Sequence, residues 1–590
     1  MSERERTVRI GGAGAMWGDS EIATPQLLAV GNLDYLVYDY LAETTMAIMA
    51  RARAKNPAYG YATDFVTTIL AQHLPEIARR GIRVVANAGG LNPLACRDAI
   101  LKLAASLNLS VKVAAVTGDD LLPQAAALRA QGAPLPETLV SLNAYLGAAP
   151  IAAALAAGAQ IVVTGRCVDS AVVLGPLVHE FGWRWDDYDR LAAGTLAGHV
   201  VECGAQATGG LFTDWESVPD WANIGYPLIE CAADGSFIVT KAPGTGGLVA
   251  PLAVAEQILY EIGDPAAYAM PDVICDLRAV RVETDGPERV RVTGARGRPP
   301  GDRLKCSATF MDGYRLDVIM AIRGIDAVTK ARKTADALLA RSRRLMQARG
   351  HADYSAVTVE LLGAEALYGP HARRDDTREV VLRIAVRHPD KAALEALRRE
   401  STSAGVSMGP GTRGHFGGRS DVQGVVRLAS CFAPKADTVM TLDIDGAARA
   451  IPHPPSPAPA APAPLPAPPG TTGTADTRVP LVTLACARSG DKGDASNIGV
   501  IARRPEYLPW LRAALTVETV AAHFAHLASG PVTRYELPGL NALNFVLENA
   551  LDGGGTASLR SDPLGKSFAQ MLLDLPVAVP ENLAPLSINP

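Results

Sequence analysis

Residues 160–169 read QIVVTGRCVD, an apolar run that ends in a small, polar tip carrying a glycine. Four earlier stretches follow the same grammar. TVRI (7–10) leads into Gly11-Gly12-Ala13-Gly14, LDYLVY (33–38) into Asp39, IRVVA (82–86) into Asn87-Ala88-Gly89-Gly90, and VKVAAV (111–116) into Thr117-Gly118-Asp119-Asp120. Helix-like stretches separate most of them. Parallel strands buried on both faces read as continuous apolar runs, and their crossovers need helices. The expected class is α/β, with an N-terminal mostly parallel sheet carrying helices on its faces. Ligands of such sheets bind beyond the carboxyl ends of the strands, so the tips name the candidate site.

The rhythm changes near residue 200. Three Asp-Gly pairs, 234–235, 285–286 and 312–313, each stand between strand-like runs. Asp-Gly there is a hairpin signal, because both turn residues need positive φ. Residues 315–445 then read strand, helix, strand, strand, helix, strand, with TVMTLDI as the last strand, which is the split βαβ order. Ten prolines fall within residues 452–469. Such a stretch forms neither ladder nor helix interior and reads as an extended spacer of ~3.1 Å per residue. The expected units are 7–200 (parallel-sheet domain), 201–450 (α+β with antiparallel hairpins), 451–478 (linker) and 479–580 (C-terminal domain). A chain of 590 residues needs more than one core.

A net charge of −5 argues against a general nucleic-acid binder. The basic run at 330–349 carries Ala335, Leu338, Leu339 and Leu345 at helical spacing and reads as a solvated helix face. Eight cysteines are scattered with no CxxC pair, which suits reduced thiols in a cytoplasmic enzyme better than zinc or a disulfide framework. The N-terminus has no apolar signal core, and residues 146–163 read as a buried helix and strand, so no membrane association is expected.

Gly12, Gly14 and Gly18 form GxGxxxG after the first strand, close to a dinucleotide fingerprint but with the third glycine displaced. Asp19 closes that tip. Asp39 stands near the position of a ribose-binding acid. Asn87, Gly89, Gly90 and Asn92 form a second group, with orienting amides beside a flexible turn. Asp119 and Asp120 either divide acid and base duties or cap the helix that follows. Arg166 is suited to clamp a carboxylate or phosphate, or to a structural ion pair. Asp169 is a base or an N-cap, and Cys167 reads as structural. Glu202 and Lys241 follow. Lys241 opens the glycine-rich stretch 242–247, either a mobile substrate loop or a plain turn. The stretch 409–421 places Arg413, His415 and Arg419 among five glycines, either an anion grip or a flexible loop. Arg488, Asp491, Lys492 and Asn497 crowd RSGDKGDASN (488–497), more charge than a turn needs, and point to a ligand or interface loop. His523 and His526, at i, i+3 on a helix, lack further metal-ligand neighbours. The expected catalytic set is Asp119, Asp169 and Lys241. No metal and no cofactor is assigned.

Read together, VRIGGAGAMWGDS (8–20), LDYLVYDYLAETTMAIMARA (33–52), VVANAGGLNP (84–93) and VVTGRCVDSA (162–171) resemble the acyclic terpene utilisation (AtuA) family over about residues 7–450. LACARSGDKGDASNIGVIA (484–502) resembles the small ferredoxin-like domain associated with it. The resemblance implies a C-terminal ferredoxin-like α+β domain. It also implies a place in bacterial breakdown of citronellol, geraniol and related branched acids handled as coenzyme A esters. It carries no catalytic residue set.

The expected function is a hydratase or lyase acting on a branched acyl-CoA or carboxylic acid, with that small molecule as partner and a homo-oligomeric assembly. The rivals are an NAD(P)-dependent oxidoreductase, motivated by the first glycine tip and Asp39, and a non-catalytic assembly subunit, motivated by the appended domain.

Overall fold

The computed structural model describes residues 6–414, 418, 420–458, 460–465, 470, 475–555 and 557–583. The first eight strands are β1 (Thr7–Gly12), β2 (Tyr35–Tyr38), β3 (Arg83–Ala86), β4 (Val113–Thr117), β5 (Ser141–Ala144), β6 (Ile161–Thr164), β7 (Pro227–Ala232) and β8 (Phe237–Lys241). All five apolar runs become strands of one sheet, and β1, β2, β3, β6 and β4 lie side by side in that order, every pair parallel. The chain skips a place between β3 and β4, and β6 fills it.

Alternate residues of these strands feed two cores. Leu36, Val84, Ala115 and Ile161 pack with Leu27, Leu74 and Ile100 on one face. Val37, Val85, Ala114 and Val162 pack with Ile151, Val172 and Leu196 on the other. Both faces are covered, which is why the runs show no polar alternation. The helices end and begin on readable signals. Gly81 and Gly182 take left-handed φ after Ala71–Arg80 and Ala171–Phe181. Asn92 caps Pro93–Ser106, its side chain accepting from the Ala95 N–H at 3.4 Å, with Pro93 at the first helical position.

Antiparallel strands extend the sheet at both edges. On one side follow β7, β8 and the hairpin Arg281–Gly286/Arg289–Thr293; on the other, Met440–Ile444 and Ala447–Ile451. Two of the three Asp-Gly pairs thus mark hairpins. The third does not. Residues 303–323 form one long strand, Arg303–Arg323, and Asp312-Gly313 lies at a break of register with Gln423–Pro434. A bulge uses positive φ as a turn does, and Gly313 has φ +73°.

The long strand anchors a second sheet with β5, Ala356–Leu362, Glu379–His388, Thr412–Arg413 and Gln423–Pro434. The helices Ala327–Ala348 and Lys391–Ser407 cover it. The split βαβ order holds up to its fourth strand. That place is taken by Thr412–Arg413 and Gln423–Pro434, while TVMTLDI joins the central sheet beside β4. Because the central sheet draws strands from both sides of residue 200, that position divides no layer.

The proline stretch runs along the body of the molecule where it is described. His453 Nε2 donates to the Thr438 carbonyl at 2.8 Å, Lys435 Nζ to Ser456 Oγ at 2.8 Å, and Arg278 to the Ala463 carbonyl at 2.8 Å. Over its described residues it is strapped to the body by these bonds. Beyond it, Ala485–Lys492, Ala495–Ala502, Val532–Leu537 and Ala542–Leu547 form the four-stranded sheet of the C-terminal ferredoxin-like domain, with its own core around Phe524, Phe545 and Phe568. No helix among the described residues is long and apolar enough to cross a membrane.

Candidate active site

The five parallel tips are stitched to one another. Asn87, fully buried at the end of β3, accepts from the Tyr40 N–H at 2.7 Å and donates to Asp39 Oδ1. Asp119, at the end of β4, accepts through Oδ2 from the Arg166 N–H at 2.9 Å and from Asn143 Nδ2 at 2.8 Å. The Arg166 side chain runs back toward β2. Its Nη1 donates to the Leu41 carbonyl at 2.7 Å and to Asp169 Oδ1 at 2.6 Å, and its guanidinium lies 4.2 Å from the Tyr145 ring centroid. At the β1 end Asp19 accepts from the Ala15 N–H at 2.8 Å and from the Tyr226 hydroxyl at 2.6 Å.

Several predicted residues are therefore braces. Asp119 is a latch between strand ends, and burial pushes its carboxyl up to about 7. Asp120 accepts from the Leu122 N–H at 3.1 Å, a local turn that leaves the following helices without a side-chain cap. Asn92 is the helix cap described above, and Gly89 and Gly90 make the turn into that helix. Lys241 Nζ donates to the Thr245 carbonyl at 3.0 Å and lies 3.5 Å from Glu288, which ties down the 242–247 loop. Burial pushes the Cys167 thiol up to about 12, as befits a structural cysteine. Arg413 pairs through its backbone with Ala321, while His415 and Arg419 lie outside the described residues.

The dinucleotide reading is corrected. The close approach that Gly12 and Gly14 permit is taken up by protein. A Cβ at Gly12 would stand 2.8 Å from the Val201 carbonyl oxygen, and one at Gly14 2.9 Å from the Tyr40 ring. The next helix begins only at Ala23, and Asp39 is buried against Asn87.

Val201 belongs to the helix Tyr188–Glu202, which brings two further groups to the rim. His199 Nδ1 and Glu202 Oε1 are 2.8 Å apart, and His199 Nε2 donates to the Ile258 carbonyl at 3.2 Å. A carbonyl only accepts, so Nε2 carries a hydrogen, and the contact between Nδ1 and Glu202 requires another proton. Burial works to lower the His199 imidazolium, but the Glu202 charge and hydrogen bond outweigh it and raise it. Burial raises Glu202; His199 opposes this, and Asp169 and Glu261 reinforce it. Burial and then the Asp169 charge hold Asp39 well above the carboxylate range, with Arg166 pulling it down. Of these carboxylates Asp169 and Glu261 are the accessible ones, with 34% and 29% of their side chains exposed.

The C-terminal domain reaches this cluster through the hairpin Ala485–Lys492/Ala495–Ala502. It packs on the helix Pro251–Leu259 and the residues just after it. Glycine is required at two positions: a Cβ at Gly499 would stand 2.6 Å from Leu259 Cβ, and one at Gly490 2.7 Å from the Tyr260 ring. Polar pins flank them. Asn497 donates to the Leu259 carbonyl at 2.8 Å and accepts from the Glu261 N–H at 2.9 Å. Arg488 lies 3.3 Å from Glu256, both buried, and donates to Gln206 at 2.7 Å and the Gly210 carbonyl at 3.0 Å. RSGDKGDASN is thus an interface segment. Near its tip, Lys492 is close enough for its charge to oppose protonation of His199, and Asp491 accepts from Lys566 at 3.0 Å. Lys566 also meets the Tyr260 hydroxyl, and lies 3.3 Å from Glu261.

Beside these groups lies a cavity of about 430 Å³, between the large part of the chain and the C-terminal domain. Leu211, Phe212, Trp215, Trp221 and Ile224 give it an apolar wall, and Tyr260, Arg488 and Lys566 a polar end. His199, Tyr260, Glu261 and Lys566 were not singled out from sequence. The available signal was His199 and Glu202 at i, i+3 in a helix whose other residues from Leu191 to Val201 are apolar or small.

Comparison with curated proteins and with solved structures finds no match. Residues 479–578 match the AtuA ferredoxin-like domain, and residues 8–444 match Acyclic terpene utilisation family protein AtuA. On a match of that extent, together with the stitched strand tips that its motifs build, the chain belongs to the AtuA family.

Proposed function

We propose that this chain is an enzyme of branched-chain or acyclic terpenoid acid breakdown, which adds water to or removes it from a branched acyl-CoA or carboxylic acid. The reading rests on two features linked through Lys566, which lines the first and lies 3.3 Å from Glu261 beside the second. One is an apolar chamber with a single polar end. The other is the buried His199–Glu202 pair, with Asp169 and Glu261 close enough to shift its proton affinity. A branched hydrocarbon fits the tryptophan-lined wall, and its carboxyl or thioester carbonyl faces Lys566 and Tyr260. Burial holds the Tyr260 phenol protonated, so it serves as a donor to that carbonyl.

In elimination, Glu261 takes the proton beside the carbonyl, and the His199–Glu202 pair supplies a proton to the departing hydroxyl, which leaves as water. Hydration runs the same steps in reverse. General acid–base groups of this kind contribute about 10²–10⁴-fold each.

The test is incubation of the full chain with branched 3-hydroxyacyl and 2-enoyl thioesters and the free acids, followed by mass spectrometry for gain or loss of one water. Turnover confined to branched substrates and lost in Glu202→Gln supports the reading. A folded protein inert to the whole series overturns it.

A further inference from the structure

A second cavity, of about 490 Å³, opens between the second sheet and the C-terminal domain. Its wall is mostly polar, and three guanidinium groups meet there from separate elements: Arg387 on Glu379–His388, Arg427 on Gln423–Pro434, and Arg560 after the glycine loop 553–555.

Their partners hold them without neutralising them. Arg560 donates to the carbonyls of Ala550 at 2.6 Å and Leu527 at 2.8 Å. Arg387 donates to the Ala557 carbonyl at 3.3 Å, and its Nε is buried with no acceptor. Among the described residues neither forms a salt bridge with a carboxylate. Arg427 has only Asp312, at 3.3 Å, with both side chains more than 40% exposed. Asp494 and Asp552 share the wall but brace its loop. Asp494 Oδ1 accepts from the N–H groups of Leu551 at 3.1 Å and Gly553 at 2.8 Å, and Asp552 Oδ2 from that of Leu559 at 3.3 Å.

Arg387 and Arg560 are half-buried with no carboxylate paired to them directly, and a guanidinium fork fits phosphate oxygens in pairs. Two forks without a directly paired carboxylate match two linked phosphates. The chamber is larger than a lone phosphate ion needs. His526, on the same wall, donates from Nε2 to the Leu367 carbonyl at 2.9 Å and leaves Nδ1 buried and unpartnered, an acceptor suited to a ligand hydroxyl.

We infer that this cavity is a binding site for an organic diphosphate, held by Arg387, Arg427 and Arg560. It is a site of recognition, separate from the acid–base cluster at the strand tips, and its test reads binding, not turnover.

The experiment is calorimetric titration of the full chain at low salt with inorganic pyrophosphate, ADP and coenzyme A, with inorganic phosphate and succinate as comparators. Pyrophosphate is expected to bind at one site per chain, at least tenfold more tightly than phosphate or succinate. Arg387→Gln weakens it at least tenfold and Arg427→Gln severalfold, with circular dichroism unchanged. Displacement of pyrophosphate by ADP alone identifies a free nucleotide, and displacement by coenzyme A as well identifies the carrier. If Arg387→Gln fails to fold, Arg427→Gln, at an exposed position, decides. The proposal is overturned if no diphosphate binds, if succinate binds as tightly, or if binding is indifferent to these substitutions.

Discussion

Arg488 of the C-terminal domain and Glu256 of the helix Pro251–Leu259 form an ion pair at 3.3 Å with both side chains buried. Burial raises the Glu256 carboxyl to about 6 even with Arg488 pulling it down. Removing one partner leaves the other charge buried, which costs about 3–5 kcal/mol. Arg488→Met is therefore expected to lower the urea midpoint sharply, and the double variant Arg488→Met/Glu256→Leu to recover most of it. Equal loss in the single and double variants would contradict this account of the pair.

Asp119 predicts a pH dependence. Its carboxyl is raised from 3.8 to about 7 in the folded chain, mainly by burial. Between those values the folded state keeps a proton that the unfolded state has released, so stability falls as pH rises through the window and is level above it. The size is on the order of 4 kcal/mol. Asp119→Asn keeps an acceptor for the Arg166 N–H and removes the titration. Melting curves from pH 4 to 8 should be flatter for the variant, with its advantage appearing only toward pH 7 and above. Parallel profiles for the two proteins would rule out this role.

Asn87 satisfies the Tyr40 N–H and binds the Asp39 carboxyl from a fully buried position. Asn87→Ala leaves both without a partner, at about 1–3 kcal/mol each. Denaturant unfolding should show a loss of at least 2 kcal/mol. A loss below half that value would mean water replaces the amide, and that the tips are wetter than their packing indicates.

The five parallel strands were legible because burial on both faces leaves an unbroken apolar run, as in IRVVA and QIVV. Strand partnership was less so. TVMTLDI has the composition of a strand, but nothing within it says that it pairs with β4 instead of closing the second sheet. Asp312-Gly313 was misread because a bulge and a hairpin both call for positive φ. The candidate site was half visible. Asp19, Asp39, Asn87, Arg166 and Asp169 follow strands and stand out as polar tips. His199, Glu261 and Lys566 come from a helix interior, a helix end and the C-terminal domain, and only tertiary packing brings them together.

Gly499 tests how the C-terminal domain docks. A side chain there meets Leu259, so Gly499→Val should split thermal unfolding into two transitions and expose the 452–465 strap to protease. A single unshifted transition would show that the hairpin has room to spare.

The central claim is that the strand tips and the C-terminal hairpin form one proton-transfer site for a branched acid. The most direct measurement is deuterium incorporation beside the carbonyl of a branched acyl thioester in heavy water, comparing wild type with Glu261→Gln and Lys492→Ala. The account predicts exchange by wild type and a loss of about 10²-fold or more in Glu261→Gln with its fold intact. Lys492→Ala should shift the pH profile of exchange, because Lys492 opposes protonation of His199. Exchange that is absent in wild type, or untouched by both substitutions, would contradict it.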